Sequence, residues 1–200
     1  GLVQARPNGR QQLYSIASEP VADALEILIL LAPASKVSSL RDATRARSLR
    51  WARMCYDHLA GAVGVSVTEA LLGRGLLREQ DGGYLLGQQG AAEFSRFGIE
   101  VEQLDRRTRP LLRPCRDWSE RRFHLAGSLG AALTRTMLER RWIATREASR
   151  IVTVTEDGGR RLNTTPTNSA SCTECHEAGG LPPGARLLVL TRESVSEGGR

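Results

Sequence analysis

The chain holds four cysteines and three histidines, and every histidine has a cysteine nearby in sequence. Cys55 precedes His58 by three positions, with Asp57 between them. On a helix this spacing puts thiol and imidazole one turn apart, within reach of a single metal ion. Cys115, Asp117 and His124 form a second such group. Thiolate and imidazole donors suit zinc or another thiophilic metal, so Cys55, His58, Cys115, Asp117 and His124 are candidate sensor or metal ligands. At a helix N-terminus, Cys115 would also be acidified and open to oxidation. A plainer account competes, because a small thiol on an apolar helix face is common core packing. Arg53 and Asp57, like Arg113 and Asp117, are also spaced as i,i+4 ion pairs, worth about 0.3–0.5 kcal/mol each. The third histidine closes Cys172-Thr173-Glu174-Cys175-His176, which is spelled like a c-type haem attachment motif and could equally hold zinc. A haem also needs a packed pocket and usually a second axial ligand, and Met54 and Met137 lie far upstream. Cys172, Cys175 and His176 therefore carry an alternative, a metal- or haem-binding redox protein.

The first two groups sit in a repeated frame. His58-Leu59-Ala60-Gly61 recurs as His124-Leu125-Ala126-Gly127, 66 residues further on. At that offset Val63 matches Leu129, Gly64 matches Gly130, and Leu71-Leu72 match Met137-Leu138. Arg74 then matches Arg140, and Leu76-Leu77 match Trp142-Ile143. Both copies also carry Arg-x-Cys-x-Asp. Apolar facing apolar and glycine facing glycine in a held register marks a structural duplication.

The elements that position these residues follow from periodicity and punctuation. Residues 2–5 and 10–16 predict two strands joined across Pro7-Asn8-Gly9, where Asn-Gly supplies positive φ. Ser18 predicts a helix N-cap with Pro20 in the first turn. Val21, Leu25, Leu28 and Ala32 make an apolar stripe, widened by Ile27, Ile29, Leu30 and Leu31, so this helix is expected to bury several sides, one against a second subunit. Ser39 opens a second helix. Ala52, Cys55, Tyr56, Leu59, Ala60 and Val63 fall on one helical face, Gly64 predicts a sharp turn, and 67–72 predicts a short helix. Asp81-Gly82-Gly83 predicts a hairpin, with a helix from Gly90. The second copy repeats this plan, with Pro114 in a first helical turn, Gly130 at a turn, a helix over 131–140, a hairpin over 142–155 and a helix over 156–162. From Asn163 onward Thr, Ser, Gly and Pro dominate, apart from an apolar run at 185–190, which predicts disorder with one loose strand.

Helix, turn, helix, two-stranded wing and closing helix describe a winged helix-turn-helix. Gly1-Leu2-Val3, Gly9-Arg10, Tyr14 and Val21-Ala22-x-Ala24-Leu25-Glu26 resemble the wing and dimer helix of ArsR-family bacterial repressors. Ala52-Arg53-x-Cys55-Tyr56-Asp57-His58-Leu59-Ala60-Gly61-x-x-Gly64-Val65 resembles a longer subgroup with an appended C-terminal region. So do Arg113-Pro114-Cys115-x-Asp117-Trp118-Ser119-Glu120-Arg121-Arg122 and His124-Leu125-Ala126-Gly127. The likeness covers residues 1–162. It implies a mainly α fold with short β-hairpins, built as tandem winged helix-turn-helix units. Residues 1–35 would be the remnant of a DNA-binding unit (wing plus dimer helix), 39–104 and 105–162 two winged-helix-like repeats, and 163–200 an atypical tail. The family's recognition helix precedes its wing, so it is expected upstream of Gly1, in a chain truncated at its N-terminus.

The resemblance implies a cytoplasmic, DNA-binding transcriptional repressor that is homodimeric and answers to a metal or small-molecule effector sensed in the duplicated region. Arg6, Asn8 and Arg10 in the wing are the expected DNA contacts, which position a duplex rather than read its bases. The formal charge of +6 suits a polyanionic partner. Only one of the 28 basic residues, Lys36, is a lysine. Ser66–Leu72 carries an acid and no base, so it is a poor duplex reader. Arg135, Arg140 and Arg141 read as a solvated helix end. No apolar run approaches the roughly 20 residues of a membrane span. No phosphate loop, nucleophile elbow or placed carboxylate pair suggests an enzyme. A winged-helix interaction module without a DNA role is the other alternative.

Overall fold

In the computed structural model the described residues are 1–32, 38–104, 109–146 and 148–162. The chain opens with an exposed hairpin of β1 (Val3–Asn8) and β2 (Gln11–Ile16), in register from Val3↔Ile16 to Asn8↔Gln11. Asn8 stays in the strand, and Gly9, at φ 59, begins a two-residue loop with Arg10. The turn is thus one residue later than Pro7-Asn8-Gly9 suggests.

Helix α1 (Glu19–Leu31) follows, with Pro20 in its first turn; Ser18 is the N-cap residue but makes no side-chain cap bond. Its orientation reverses expectation. Ala22 and Glu26 are its buried residues, whereas Leu25, Ile27, Leu28, Ile29 and Leu31 are exposed. The cause is electrostatic. Glu19 and Asp23 pair with Arg113, and Glu26 pairs with Arg53 and Arg150, so the acidic stripe docks on a basic surface. Helix α2 (Leu40–Trp51) is capped by Ser39, whose Oγ accepts the Asp42 N–H at 3.1 Å.

Each copy of the repeat is hairpin, helix, hairpin, helix. The first consists of β3 (Arg53–Met54), β4 (Leu59–Ala60), α3 (Gly61–Gly73), β5 (Leu77–Gln80), β6 (Gly83–Leu86) and α4 (Gly90–Arg96). The second consists of β7 (Arg113–Arg116), β8 (Phe123–Ala126), α5 (Gly127–Glu139), β9 (Ile143–Thr145), β10 (Val152–Val154) and α6 (Glu156–Leu162). The later hairpins and closing helices fall where the sequence places them. The helix opened by Ser39 forms as α2 but ends at Trp51, and residues 53–60 continue as an antiparallel hairpin; in the second copy residues 113–126 form a hairpin where Pro114 predicts a first helical turn.

The misreading has a physical source. Ala52, Arg53, Cys55, Leu59 and Ala60 are all buried, and a hairpin covered on both faces gives the same apolar density as a helix. Gly64 and Gly130 are not turns but lie inside α3 and α5. The turns come at Gly61 and Gly127, at φ 80 and 81. A Cβ at either would come within 2.6 Å of a carbonyl oxygen, of Arg50 or Pro110. The two copies share one core, in which Val63, Leu71, Leu77 and Phe94 join Leu129, Met137, Ile143, Val152 and Leu162.

Candidate functional site

The duplicated hairpins place their functional side chains by register. Cys115 and His124 are cross-strand partners. In the shorter hairpin the Cys55 N–H donates to His58 O at 3.0 Å, so Cys55 and His58 form the last pair before the Tyr56-Asp57 turn. Directly opposed residues point to the same face. The two hairpins turn those faces toward each other. His58 Nε2 and His124 Nε2 lie 3.2 Å apart, and the sulfurs of Cys55 and Cys115 lie 4.0 Å apart. One donor atom from each of the four residues lies within 4.8 Å of the others, and all four residues are buried. The sequence suggests two separate groups; the fold makes them one.

Reciprocal contacts hold this arrangement. Thr134 Oγ1 accepts the Leu59 N–H at 2.9 Å, and Thr68 Oγ1 accepts the Leu125 N–H at 2.8 Å. Each threonine therefore fixes the residue that follows the other copy's histidine. Gly64 and Gly130 let each hairpin run close to the helix that follows it, since a Cβ there would stand 2.4 Å from Leu59 O or 2.5 Å from Leu125 O, while the Cβ atoms of His124 and His58 sit at ordinary contact distance, 3.8 and 3.6 Å.

Two carboxylates stand behind the imidazoles. Asp57 Oδ1 is 3.2 Å from His58 Nδ1. Asp117 Oδ2 is 3.3 Å from His124 Nδ1, close enough to pair in charge but misaligned for a hydrogen bond. Asp117 is fully buried and accepts from Gly61 N, Ser119 N, Ser119 Oγ, Glu120 N and Arg53 Nη2, at 2.7 to 3.1 Å. Asp57 is more open and takes Arg109 Nη1 at 2.5 Å. Arg53 also lies 4.6 Å from the Trp118 ring centroid and 3.6 Å from Glu26 Oε2. Glu26 Oε1 accepts from the Cys55 thiol at 3.6 Å, which ties the cluster to α1.

The electrostatics follow from these neighbours. The Cys55 thiol is pushed up to about 12 by its contact with Cys115 and by burial, against the opposing pull of both histidines. Burial works to raise Asp117, yet the nearby His124, the Arg53 charge and the donors from Ser119 and Gly61 hold it well below the usual carboxylate range. Burial likewise opposes protonation of His58 and His124, and the carboxylates and Cys55 outweigh it, so both rise. In the neutral tautomer that carries its proton on Nδ1, beside the carboxylate, each ring turns its Nε2 lone pair toward the other. Two lone pairs at 3.2 Å repel unless a proton or a cation is shared between them.

Asp117 is not among the four convergent donors but stands behind His124. Cys115 lies on β7 rather than at a helix N-terminus, so no helix dipole acts on it. The i,i+4 pairs do not form: Arg53 reaches Asp117 in the other copy, and Arg113 reaches Glu19 and Asp23. Arg53 and Asp57 enter the sequence reading only as an i,i+4 pair, and Glu26 and Arg109 are given no part in the site there, yet all four support it. One signal was legible. The cysteines differ by 60 positions and the histidines by 66, so a six-residue insertion (66 − 60) separates Cys115 from His124 without breaking their pairing. Arg6, Asn8 and Arg10 stand exposed on the first hairpin. Arg140 is packed, with its guanidinium 4.3 Å from the Phe97 ring centroid and a bond to Phe97 O at 2.8 Å. A cleft of about 710 Å³ between α1 and the second repeat is lined by Glu19, Asp23, Arg109 and Arg113, which pair among themselves. Cys172, Cys175 and His176 lie outside the described residues.

No family model matches the chain, and no solved structure matches it. It is similar to a Bacillus subtilis (strain 168) protein described as an uncharacterized HTH-type transcriptional regulator, YdfF. The two are 40% identical over 157 residues, which covers 78% of this chain and 70% of that protein.

Proposed function

We propose that this chain, which belongs to the HTH-type transcriptional regulators, is a repressor of ArsR type, homodimeric through α1 and controlled by a signal received in its paired repeats, 39–104 and 105–162. DNA binding and control of transcription follow from the family. The finer assignment rests chiefly on one observation: α1 is anchored by its acidic face and open on its apolar face. Leu28 is 58% exposed and Leu31 78%, amounts of uncovered leucine that a second copy would bury. The same helix touches the Cys/His cluster through Glu26. A change at the cluster can therefore reach the dimer face through one side chain.

In this reading the β1/β2 hairpin is the wing, and Arg6, Asn8 and Arg10 meet phosphates. An effector, metal or small molecule, shifts the dimer only if it binds the DNA-competent and DNA-incompetent forms unequally. The regulator would work in the cytoplasm. No described helix is long and apolar enough to cross a membrane. Sedimentation equilibrium tests the dimer: the wild type should be dimeric and Leu28→Glu monomeric. Fluorescence anisotropy with duplex DNA tests the wing: Arg6→Ala and Arg10→Ala should each lower the salt slope by about 1. A monomeric wild type, or an unchanged slope in both arginine variants, overturns the assignment.

A further inference from the structure

We propose that Cys55, His58, Cys115 and His124 bind one thiophilic divalent cation, zinc by the chemistry of the donors, in a tetrahedral site shared by the two repeats. The spacing fits the ion. With Zn–S about 2.3 Å and Zn–N about 2.0–2.1 Å, a tetrahedron places two sulfurs about 3.8 Å apart and two nitrogens about 3.3 Å apart. The observed separations are 4.0 Å for Cys55 to Cys115 and 3.2 Å for His58 to His124. Asp57 and Asp117 face the Nδ1 atoms, as outer carboxylates do when they orient metal-bound imidazoles, and this leaves both Nε2 lone pairs aimed inward. A cation removes their repulsion, and it also explains why two thiols converge on the same point.

Charge and enclosure agree. Two thiolates, two neutral imidazoles and a divalent ion sum to zero, which suits a site whose four ligands are buried and whose cysteines pack with Ala60 and Ala126. Each thiol gives up its proton, so filling the site from the thiol form releases two protons and forms two metal–sulfur and two metal–nitrogen bonds. Four protein ligands leave no open position, which makes the site one of assembly or sensing rather than catalysis. A Cys55–Cys115 disulfide accounts for less. It would need the sulfurs near 2.05 Å, and it gives the paired histidines no role. Binding itself is independent of the regulator assignment; only its use as a signal rests on that reading. Ion uptake removes the thiol hydrogen that Cys55 gives Glu26 and leaves a metal-bound thiolate beside that carboxylate, so α1 registers occupancy.

The test needs no DNA and so fails separately from the repressor assignment. The reduced, chelator-stripped chain is titrated with cobalt(II). One equivalent should give thiolate-to-cobalt charge transfer and the intense visible bands of a tetrahedral ion, both bleached by zinc. Cys115→Ser and His124→Asn should abolish that spectrum, whereas Cys172→Ser with Cys175→Ser should leave it unchanged. Asp57→Asn should weaken binding about 10–100-fold while keeping the same bands. X-ray absorption on the zinc-loaded wild type needs no variant to fold and should find two sulfurs and two nitrogens. Absence of uptake by the reduced protein, octahedral cobalt bands, a spectrum that follows Cys172 and Cys175 instead, or another ligand count overturns the proposal.

Discussion

Asp117→Asn separates a carboxylate that organises the site from one that decorates it. Asp117 is fully buried, and both its oxygens are occupied. Oδ2 receives Arg53 Nη2 at 3.1 Å and Gly61 N at 2.7 Å; Oδ1 receives Ser119 N, Ser119 Oγ and Glu120 N. An asparagine supplies one acceptor and one donor, so either orientation of its amide sets an NH2 against N–H groups. It also leaves the buried Arg53 with only the longer 3.6 Å contact to Glu26 Oε2 for charge pairing. Breaking a buried ion pair from one side costs about 3–5 kcal/mol, and orphaned donors about 1–3 kcal/mol each, terms that overlap rather than add. The expected loss is at least about 3 kcal/mol. Asp57→Asn is the control, because that side chain is 34% exposed and its partner Arg109 20%, so its loss should stay below about 1 kcal/mol. Urea unfolding with chelator present, at constant m, reads both without any contribution from a bound ion. An Asp117→Asn loss below about 1 kcal/mol, or one no larger than that of Asp57→Asn, would show that the enclosure of Asp117 is not what stabilises the hairpin pair.

Three further outcomes are expected. Gly64→Ala and Gly130→Ala should each destabilise by about 1–3 kcal/mol despite the better helix propensity of alanine, since the new methyl would stand 2.4 or 2.5 Å from the carbonyl oxygen of Leu59 or Leu125; equal or higher urea midpoints would contradict this. Thr68→Val and Thr134→Val should each cost about 1–3 kcal/mol by leaving the Leu125 or Leu59 N–H buried and unpaired, and matched losses in the two variants would support the symmetry of the contacts. Chelation of the zinc-loaded protein should lower Tm: an ion held at a thousand times its Kd adds about 4.1 kcal/mol, or about 8–16 °C at this chain length, and an unmoved transition would mean that the ion does not favour the folded state.

Much of this architecture was written in local signals. The duplication shows in the repeated His-Leu-Ala-Gly string, and β5/β6, β9/β10, α4 and α6 follow from Asp-Gly-Gly and from apolar alternation. The leading hairpins were hidden because burial on both faces erases the period-two pattern that would separate strand from helix. The outward face of α1 was hidden for a related reason. Its stripe is apolar, but the surface that receives it is decided by Arg53, Arg113 and Arg150, which lie 27 or more positions away (53 − 26) and are no part of its own pattern. Sequence found the residues of the cluster but spread them over two sites, because a helix places Cys55 and His58 on one turn without reference to the second copy. Only the facing of the two hairpins brings a third and a fourth donor to the same point.

Duplication explains why the cluster is nearly symmetric, and the insertion explains why it is not fully so. Before the loops, Arg53, Cys55 and Asp57 answer Arg113, Cys115 and Asp117; after them, His58 and Leu59 answer His124 and Leu125. The six inserted positions lengthen the second hairpin's turn, which supplies Ser119 N, Ser119 Oγ and Glu120 N to Asp117 and places Trp118 against Arg53. His124 is therefore backed by a carboxylate fixed on every side. His58 is backed by Asp57, which is partly open and held by a single arginine at the edge of the cleft. Cys55, the thiol in contact with Glu26 of α1, belongs to the half with the more open carboxylate. One copy thus backs its histidine with a carboxylate enclosed by five donors and the other with a carboxylate open on one side. Helix α1 bridges the two halves, since Glu26 meets Cys55 and Arg53 of the first copy and Arg150 of the second while Glu19 and Asp23 hold Arg113, so a ligand drawn between the hairpins would act on α1 from both sides.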